Sequence, residues 1–372
     1  NADYWGETAI LDKLVYTIVP DDNTLLVQLQ TGEIQLASSD AAISALRVDE
    51  ALEIEGISIL ETASPAWKHF DLKIIDHLRD PRVRQAAIEA IERYGTSVTG
   101  SRFLNGTLQL HLELDRRLAA FVGKEAALVF PTGYQTNVGT ISAMVGRGDY
   151  VIVDKDDHAS IVDGCFMSQG EMKRFIHNDG HSLENVLKKL PPEAGKLVIV
   201  DGVYSMAGDI APLPQIVEIC KRYGARIMVD DAHGLGVTGG GRGTAAHFGL
   251  TDDVDLIMGT FSKSFASIGG FIAGDADIIK FIQHHARSLI FSAALPAPNA
   301  AAVLAALDII ETEPQHVTQL WENAAFMRAG FQKLGYDTGT SNTPIIPVIL
   351  GNDFKTALAW AALIEQGVYT NV

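Results

Sequence analysis

A lysine stands where a reactive amine would be useful. Gly259-Thr260-Phe261-Ser262-Lys263-Ser264 follows directly on the apolar run Leu256-Ile257-Met258. An amine at the end of a buried strand can condense with an aldehyde to an imine, and desolvation lowers its pKa and makes it nucleophilic. The hydroxyls of Thr260 and Ser262 can hold a phosphate beside it. Taken alone, Lys263 reads more readily as an exposed lysine after a strand. Asp230, in Asp230-Asp231-Ala232-His233, closes another apolar run. A carboxylate there can keep a pyridine nitrogen protonated and make the ring an electron sink, or can serve only as a helix cap. The two residues are separated by roughly 30 positions, about one helix-strand unit, so both can reach one ligand.

Three further features have the right company. His158, after Asp156-Asp157, can stack on a planar ring, although a solitary histidine also serves structural ends. Pro131-Thr132-Gly133-Tyr134-Gln135 precedes a helical stretch, whose first backbone amides form an anion site suited to phosphate. Ser205, in Tyr204-Ser205-Met206, says little without the others.

The elements that must position these groups are visible from about residue 124 onward. Ala127-Leu128-Val129-Phe130, Tyr150-Val151-Ile152-Val153, Leu197-Val198-Ile199-Val200, Arg226-Ile227-Met228-Val229 and Leu256-Ile257-Met258 are short, unbroken apolar runs. Strands buried on both faces of a helix-covered parallel sheet read this way. Each run ends in polar or glycine-containing sequence, and ligands of open α/β sheets bind beyond the carboxyl ends of strands. The five ends are therefore expected to converge. Beyond them, residues 299–313 and 317–334 read as helices, 343–350 as a strand with proline at its margin, 355–366 as a final helix, and 369–372 as the start of another strand.

Composition narrows the partners. The 372 residues are 47% hydrophobic and 20% charged, which suits a well-packed chain of two or three units. With 29 basic against 46 acidic residues, the net charge of −17 repels nucleic acid and anionic membranes, while a local nest of amides can still take a phosphorylated cofactor. Cys165 and Cys220 have no metal-ligand spacing around them, so neither a disulfide framework nor a metal site is expected, and a reducing cytoplasm is. No run reaches membrane-spanning length, and Asn1-Ala2-Asp3-Tyr4-Trp5 is not a signal peptide.

From about residue 86 onward the sequence closely resembles the α-oxoamine synthases, pyridoxal-phosphate (PLP) enzymes of fold type I. The resemblance is carried in order by Thr99-Gly100-Ser101-Arg102-Phe103-Leu104-Asn105-Gly106, Thr132-Gly133-Tyr134-Gln135, His158-Ala159-Ser160-Ile161-Val162-Asp163-Gly164, Gly202-Val203-Tyr204-Ser205-Met206, Asp230-Asp231-Ala232-His233 and Gly259-Thr260-Phe261-Ser262-Lys263-Ser264. It implies an α/β fold with a mostly parallel seven-stranded sheet, helices on both faces and a smaller, incomplete C-terminal α/β domain. The expected organisation is a PLP-binding domain over 86–295 and the small domain over 296–372.

The resemblance also implies roles. Lys263 would form the imine and later shuttle a proton. Asp230 would pair with the pyridine nitrogen, His233 would contact the ring hydroxyl, and His158 would stack on the ring and orient the substrate carboxylate. Ser205 would add a polar contact. Gly133, Tyr134, Thr260 and Ser262 would hold the phosphate, with Ser292 and Ala293 reaching across from the second subunit of a homodimer. The implied reaction joins an amino acid to an acyl-CoA with loss of carbon dioxide. Phe261-Ser262-Lys263-Ser264, Ala266-Ser267-Ile268-Gly269-Gly270-Phe271 and His177-Asn178-Asp179 look most like the bacterial serine palmitoyltransferases. A glycine C-acetyltransferase and a PLP-binding protein of impaired activity are the alternatives.

Two stretches depart from that pattern. Phe70-Asp71-Leu72-Lys73-Ile74-Ile75-Asp76-His77-Leu78-Arg79 stands where the family has an Asn-Tyr-Leu-Gly-like element. The chain also stops before the family's carboxylate-binding arginine, so PLP binding with poor serine handling is expected unless Arg287 or His158 substitutes. Residues 1–85 resemble instead a fragment of an oligopeptide-type ABC solute-binding protein, through Asn1-Ala2-Asp3-Tyr4-Trp5-Gly6, Pro20-Asp21-Asp22-Asn23-Thr24 and Ser64-Pro65-Ala66-Trp67. Asp80-Pro81-Arg82-Val83-Arg84-Gln85-Ala86 suits both families. A diverged extension of the enzyme is the other reading.

Overall fold

A computed structural model of the chain describes residues 67–71 and 80–371. In chain order the elements are β1 (Trp67–Asp71), α1 (Pro81–Tyr94), α2 (Gln109–Val122), β2 (Ala126–Phe130), α3 (Gly133–Met144), β3 (Tyr150–Asp154), α4 (Ala159–Met167), β4 (Glu171–Phe175), α5 (Gly180–Leu187) and β5 (Lys196–Asp201). They continue with α6 (Leu213–Tyr223), β6 (Arg226–Asp230), α7 (Thr244–His247), β7 (Leu256–Thr260), β8 (Gly270–Gly274), α8 (Ala276–His285), α9 (Arg287–Ile290), α10 (Ala297–Thr312), α11 (Gln315–Lys333), β9 (Ile345–Ile349) and α12 (Asp353–Glu365). Contacts divide the chain into a unit spanning Trp67–Ile349 and a second that includes Leu350–Thr370. The sequence features read in residues 1–66 and 72–79 lie outside the described residues.

Seven strands form the main sheet in the order β2-β8-β7-β6-β5-β3-β4, and all are parallel except β8, which runs antiparallel to β2 and β7. This is the mostly parallel sheet of fold type I. The alternation of side chains shows why the runs had to be apolar throughout. Val198 and Val200 of β5 enter the core on one face, while Leu197 and Ile199 enter the core on the other. Ile152 of β3 and Ile227 and Val229 of β6 follow the first pair, whereas Val151, Val153 and Met228 follow the second. Strands so placed are apolar along their middles on both faces, and their polar residues stand at the ends, as Lys196 and Asp201 do in β5.

Two strands of this sheet were not legible in the sequence. β4 is an edge strand with the sequence Glu-Met-Lys-Arg-Phe, and only Phe175 in it is buried. Edge strands need just one apolar contact, and charge protects them from further pairing. β8, Gly-Phe-Ile-Ala-Gly, is wholly buried, but its glycines dilute the apolar signal. Those glycines are steric requirements: a Cβ on Gly270 would lie 2.7 Å from Thr136 Oγ1 and 2.9 Å from Gly133 Cα.

The predicted helices and the 343–350 strand are present as α10, α11, β9 and α12, whereas 369–371 forms no strand, Asn371 being a single bridge residue. β9 pairs with β1 in a separate two-stranded antiparallel ribbon, Trp67 opposite Ile349 and Asp71 opposite Ile345. α1 starts with Asp80 as cap, its carboxylate accepting from Arg82 N at 2.8 Å, and packs Ala90 against Ala297 and Ala301 of α10. Both cysteines are buried free thiols, and burial pushes each up to about 12, so neither is a ready nucleophile. Among the described residues no helix is long and apolar enough to cross a membrane.

Candidate active site

The carboxyl ends of β3, β5, β6 and β7 and the first turn of α3 surround a cavity of about 330 Å³. Gly133, Tyr134, His158, Ser205, Asp230, His233, Thr260, Ser262 and Lys263 all line it. The convergence expected from the strand ends is thus realised in one chain. Ser292 and Ala293 do not line this cavity; Ser292 instead accepts a hydrogen bond from Gln135 Nε2 at 3.0 Å, and Ala293 faces outward. Arg287 also lies outside it, with its guanidinium 4.9 Å above the Phe291 ring.

One end of the cavity is built for an anion. Thr132 caps α3, its hydroxyl accepting from Gln135 N at 3.1 Å, and leaves the helix's first amides open to a ligand. Thr260 closes the other side, 3.0 Å from the Ser262 hydroxyl and donating to Gly269 O at 3.0 Å. A Cβ on Gly133 would approach Thr260 Oγ1 to 2.8 Å, so helix and strand end can meet only through glycine.

Lys263 is placed by its neighbours. Phe261 and Phe265, two residues away on either side, are fully buried, with Phe261 stacked on Phe271 at 5.8 Å. Ser264 donates to Leu235 O at 2.7 Å. The turn is closed by Phe261 N to Gly269 O at 2.9 Å and Ser267 N to Phe261 O at 2.8 Å. With three of its neighbours anchored in the core, the backbone can present only Lys263 and Ser262 to the cavity.

At the opposite end Asp230 is buried and held twice, by Asn137 Nδ2 at 2.7 Å and Ala232 N at 3.0 Å. The same Asn137 amide donates to Ser160 Oγ at 2.8 Å, and Ser160 Oγ lies 2.7 Å from His158 Nδ1. Ser160 N also donates to that Nδ1 at 3.2 Å. A main-chain amide can only donate, so Nδ1 keeps its lone pair and the ring proton resides on Nε2. His158 and Asp230, 72 residues apart in the chain, are therefore joined through two uncharged side chains that orient both.

Sequence reasoning did not single out Asn137, Ser160 or Asp201, yet all three line the cavity. Asn137 lies four residues past Gly133, on the same helical face, and that spacing was the available signal. Asp201 is the register partner of Asp230 on the adjacent strand. Burial, then the charges of Asp230 and Asp157, hold its carboxyl well above the usual range. Asp157 is raised likewise, by burial and by Asp154, although its two oxygens accept from Asp154 N and Asp201 N at 2.9 and 3.0 Å. Asp231 turns away from the cavity; its carboxylate accepts from Thr244 N and Oγ1, and burial pushes it up to about 7.

Comparison with known proteins places these features in a wider set. The family model "Aminotransferase class I and II" matches residues 74–371. A second, "Bacterial extracellular solute-binding proteins, family 5 Middle", matches residues 1–96, so the two overlap across 74–96, including the block read as suiting both. The serine palmitoyltransferase of Sphingobacterium spiritivorum is 49% identical over 293 residues, covering 78% of this chain and 73% of that protein. The 8-amino-7-oxononanoate synthase of Geobacter sulfurreducens is 44% identical over 301 residues, covering 80% and 76%. A high-resolution structure of SPT with PLP superimposes with a TM-score of 0.77 at 40% identity, over 79% of this chain and 74% of that one.

Proposed function

Because the chain belongs to the aminotransferase class I and II family and, within it, to the PLP-dependent acyltransferases called α-oxoamine synthases, we propose that it condenses L-serine with a long-chain acyl-CoA. The residues present fit PLP. The first turn of α3 and the Thr260 and Ser262 hydroxyls would hold its phosphate, the buried Asp230 carboxylate its ring nitrogen, and the Lys263 amine, which lines the same cavity, its aldehyde. When bound, PLP supplies an aldehyde that captures an amine and a protonated ring that withdraws electrons from the substrate α-carbon.

The side chains divide the remaining work. Lys263 Nζ would hold the cofactor, and would later take the α-proton of the substrate and return a proton to that carbon. Asp230 would keep the ring nitrogen protonated. His158 would stack on the ring and offer its Nε2 proton to the substrate carboxylate, His233 would contact the ring hydroxyl, and Ser205 would add a polar contact near the ring. The new bond joins the α-carbon, in place of its proton, to the acyl carbonyl carbon. The thioester bond breaks and the sulfur leaves with a proton as CoA thiol, and the carboxylate leaves as carbon dioxide while a proton takes its place on the α-carbon. We place Ser292 and Ala293 in the neighbouring site of a homodimer, a position consistent with the outward-facing Ala293 and with Phe291, 73% exposed.

The observation that supports serine and a long acyl chain is the 49% identity to a serine palmitoyltransferase across the whole cavity-forming region. The 44% identity to an 8-amino-7-oxononanoate synthase supports a second reading, L-alanine with a dicarboxylic acyl-CoA. The deciding measurement is thiol release with L-serine, L-alanine or glycine offered against palmitoyl-, pimeloyl- or acetyl-CoA. Serine with palmitoyl-CoA is expected to be fastest; a faster alanine and pimeloyl-CoA pair would sink the first reading.

The phosphate end makes its own prediction. Gly133→Ala forces Thr260 Oγ1 away from its place, at the cost of about one hydrogen bond, or roughly tenfold in PLP affinity. Fluorescence titration of the apoprotein with PLP measures it, and unchanged affinity would remove Gly133 and Thr260 from the phosphate site.

A further inference from the structure

His177 and Asn178 take no part in the reaction above, yet they tie together two pieces of the cavity wall. His177 Nδ1 lies 3.0 Å from Asp154 Oδ1 at the end of β3, and Nε2 lies 2.8 Å from Asp209 Oδ2. Asn178 repeats the bridge, its N donating to Asp154 Oδ2 and its Nδ2 to Asp209 Oδ2, both at 2.8 Å. It does so from a φ of 53°, which asparagine tolerates far better than most residues.

Asp209 belongs to a closed loop. Tyr204 N donates to Asp209 O at 3.0 Å, Gly208 N to Tyr204 O at 2.9 Å, and Val203 bridges Ile210. The imidazole edge also meets the Tyr204 ring at 4.4 Å, nearly perpendicular. Val203 and Ser205, on either side of Tyr204, line the cofactor cavity.

We propose that His177 is a positioning residue for the cofactor site: an imidazolium, protonated on both nitrogens, that clamps the Ser205 loop to the carboxyl end of β3. The nearest atom to each ring nitrogen is a carboxylate oxygen, while Asn178 Nδ2 lies farther off, 3.3 Å from Nε2, so a proton on each nitrogen is the arrangement that satisfies both carboxylates. Facing the ring are Asp154 and Asp156 from the end of β3, the latter at 3.8 Å, and Asp209 and Tyr204 from the loop. Burial opposes its charge, but the hydrogen bonds to Asp154 and Asp209 prevail and carry it to about 10. The Tyr204 phenol is pushed upward, by burial and by Asp157 and Asp154, and so stays uncharged beside it. Asp154, Asp156 and His177 are also close enough to suggest a cation site, but the ring itself already supplies the positive charge there.

The sign of the pH effect follows. A histidine whose pKa rises on folding stabilises fully below its unfolded value, near 6.5, and loses that contribution as pH climbs toward 10. The test compares wild type with His177→Gln, which keeps a donor amide but no charge, and with Asp209→Asn in case the first variant folds poorly. In apoprotein, the melting-temperature gap to wild type is expected to be widest near pH 6.5 and to close by about pH 10. A gap independent of pH would mean packing alone and overturn the clamp. The second arm rests on the PLP reading. His177→Gln should weaken PLP binding roughly tenfold, and adding Ser205→Ala should cost nothing more, because the serine is already displaced. Additive losses would overturn the clamp as well. The melting arm needs no cofactor, so it decides the clamp even if wild type fails to take up PLP, a failure that would count only against the earlier reading.

Discussion

Lys263→Ala leaves a protein that takes up PLP without fixing it. Borohydride reduction of wild type followed by peptide mapping should place the cofactor on the peptide that contains Lys263, and the visible absorbance of the bound cofactor should be missing in the variant. The fold should survive, because the turn is anchored by Phe261, Phe265 and Ser264 rather than by the lysine. Turnover should fall by roughly 10²- to 10⁴-fold or more, the usual contribution of a positioned proton-transfer group, with the covalent tether lost as well. A cofactor label on any other lysine would remove Lys263 from its role and, with it, the reading of the whole cavity.

Asp230→Asn separates binding from chemistry at the other end of the ring. The amide keeps an acceptor for Ala232 N but cannot hold a proton on a ring nitrogen. A charge-assisted hydrogen bond is worth about 1.5–3 kcal/mol, so PLP affinity should fall by about one to two powers of ten. Turnover at saturating PLP should fall further still, since an unprotonated ring is a poor electron sink. Asn137 gives an internal control. It bonds both Asp230 and Ser160, so Asn137→Ala should disturb the ring-nitrogen end and the His158 end together. An Asp230→Asn enzyme with near wild-type turnover would show that the ring does not need this proton.

Much of the site was legible because its parts are local. A buried strand is apolar along its middle, so Asp230 and Thr260, which close β6 and β7, and Lys263, three residues further on, stand out at the strand ends. Gly133 is legible for a related reason, since a glycine opening a helix after a strand suggests a close approach. Strand β4 hid behind its charges and β8 behind its glycines, because neither position requires an unbroken apolar run. His177 was visible only as part of a family signature. Its work depends on Asp154 and Asp209, which lie 23 and 32 residues away.

By itself the amino-acid sequence determined the parallel α/β layout and the edge of the sheet at which Asp230, Thr260, Ser262 and Lys263 gather. Each follows from hydrophobic periods and strand ends, which are properties of short stretches. The tertiary structure alone decided that β8 runs antiparallel between β2 and β7, that His158 presents Nε2 through Ser160 and Asn137, and that Asp201 lies beside Asp230 in register. Those outcomes depend on which distant side chains satisfy one another's hydrogen bonds once buried. A buried polar group must find a partner wherever the fold supplies one, and no local pattern names that partner in advance.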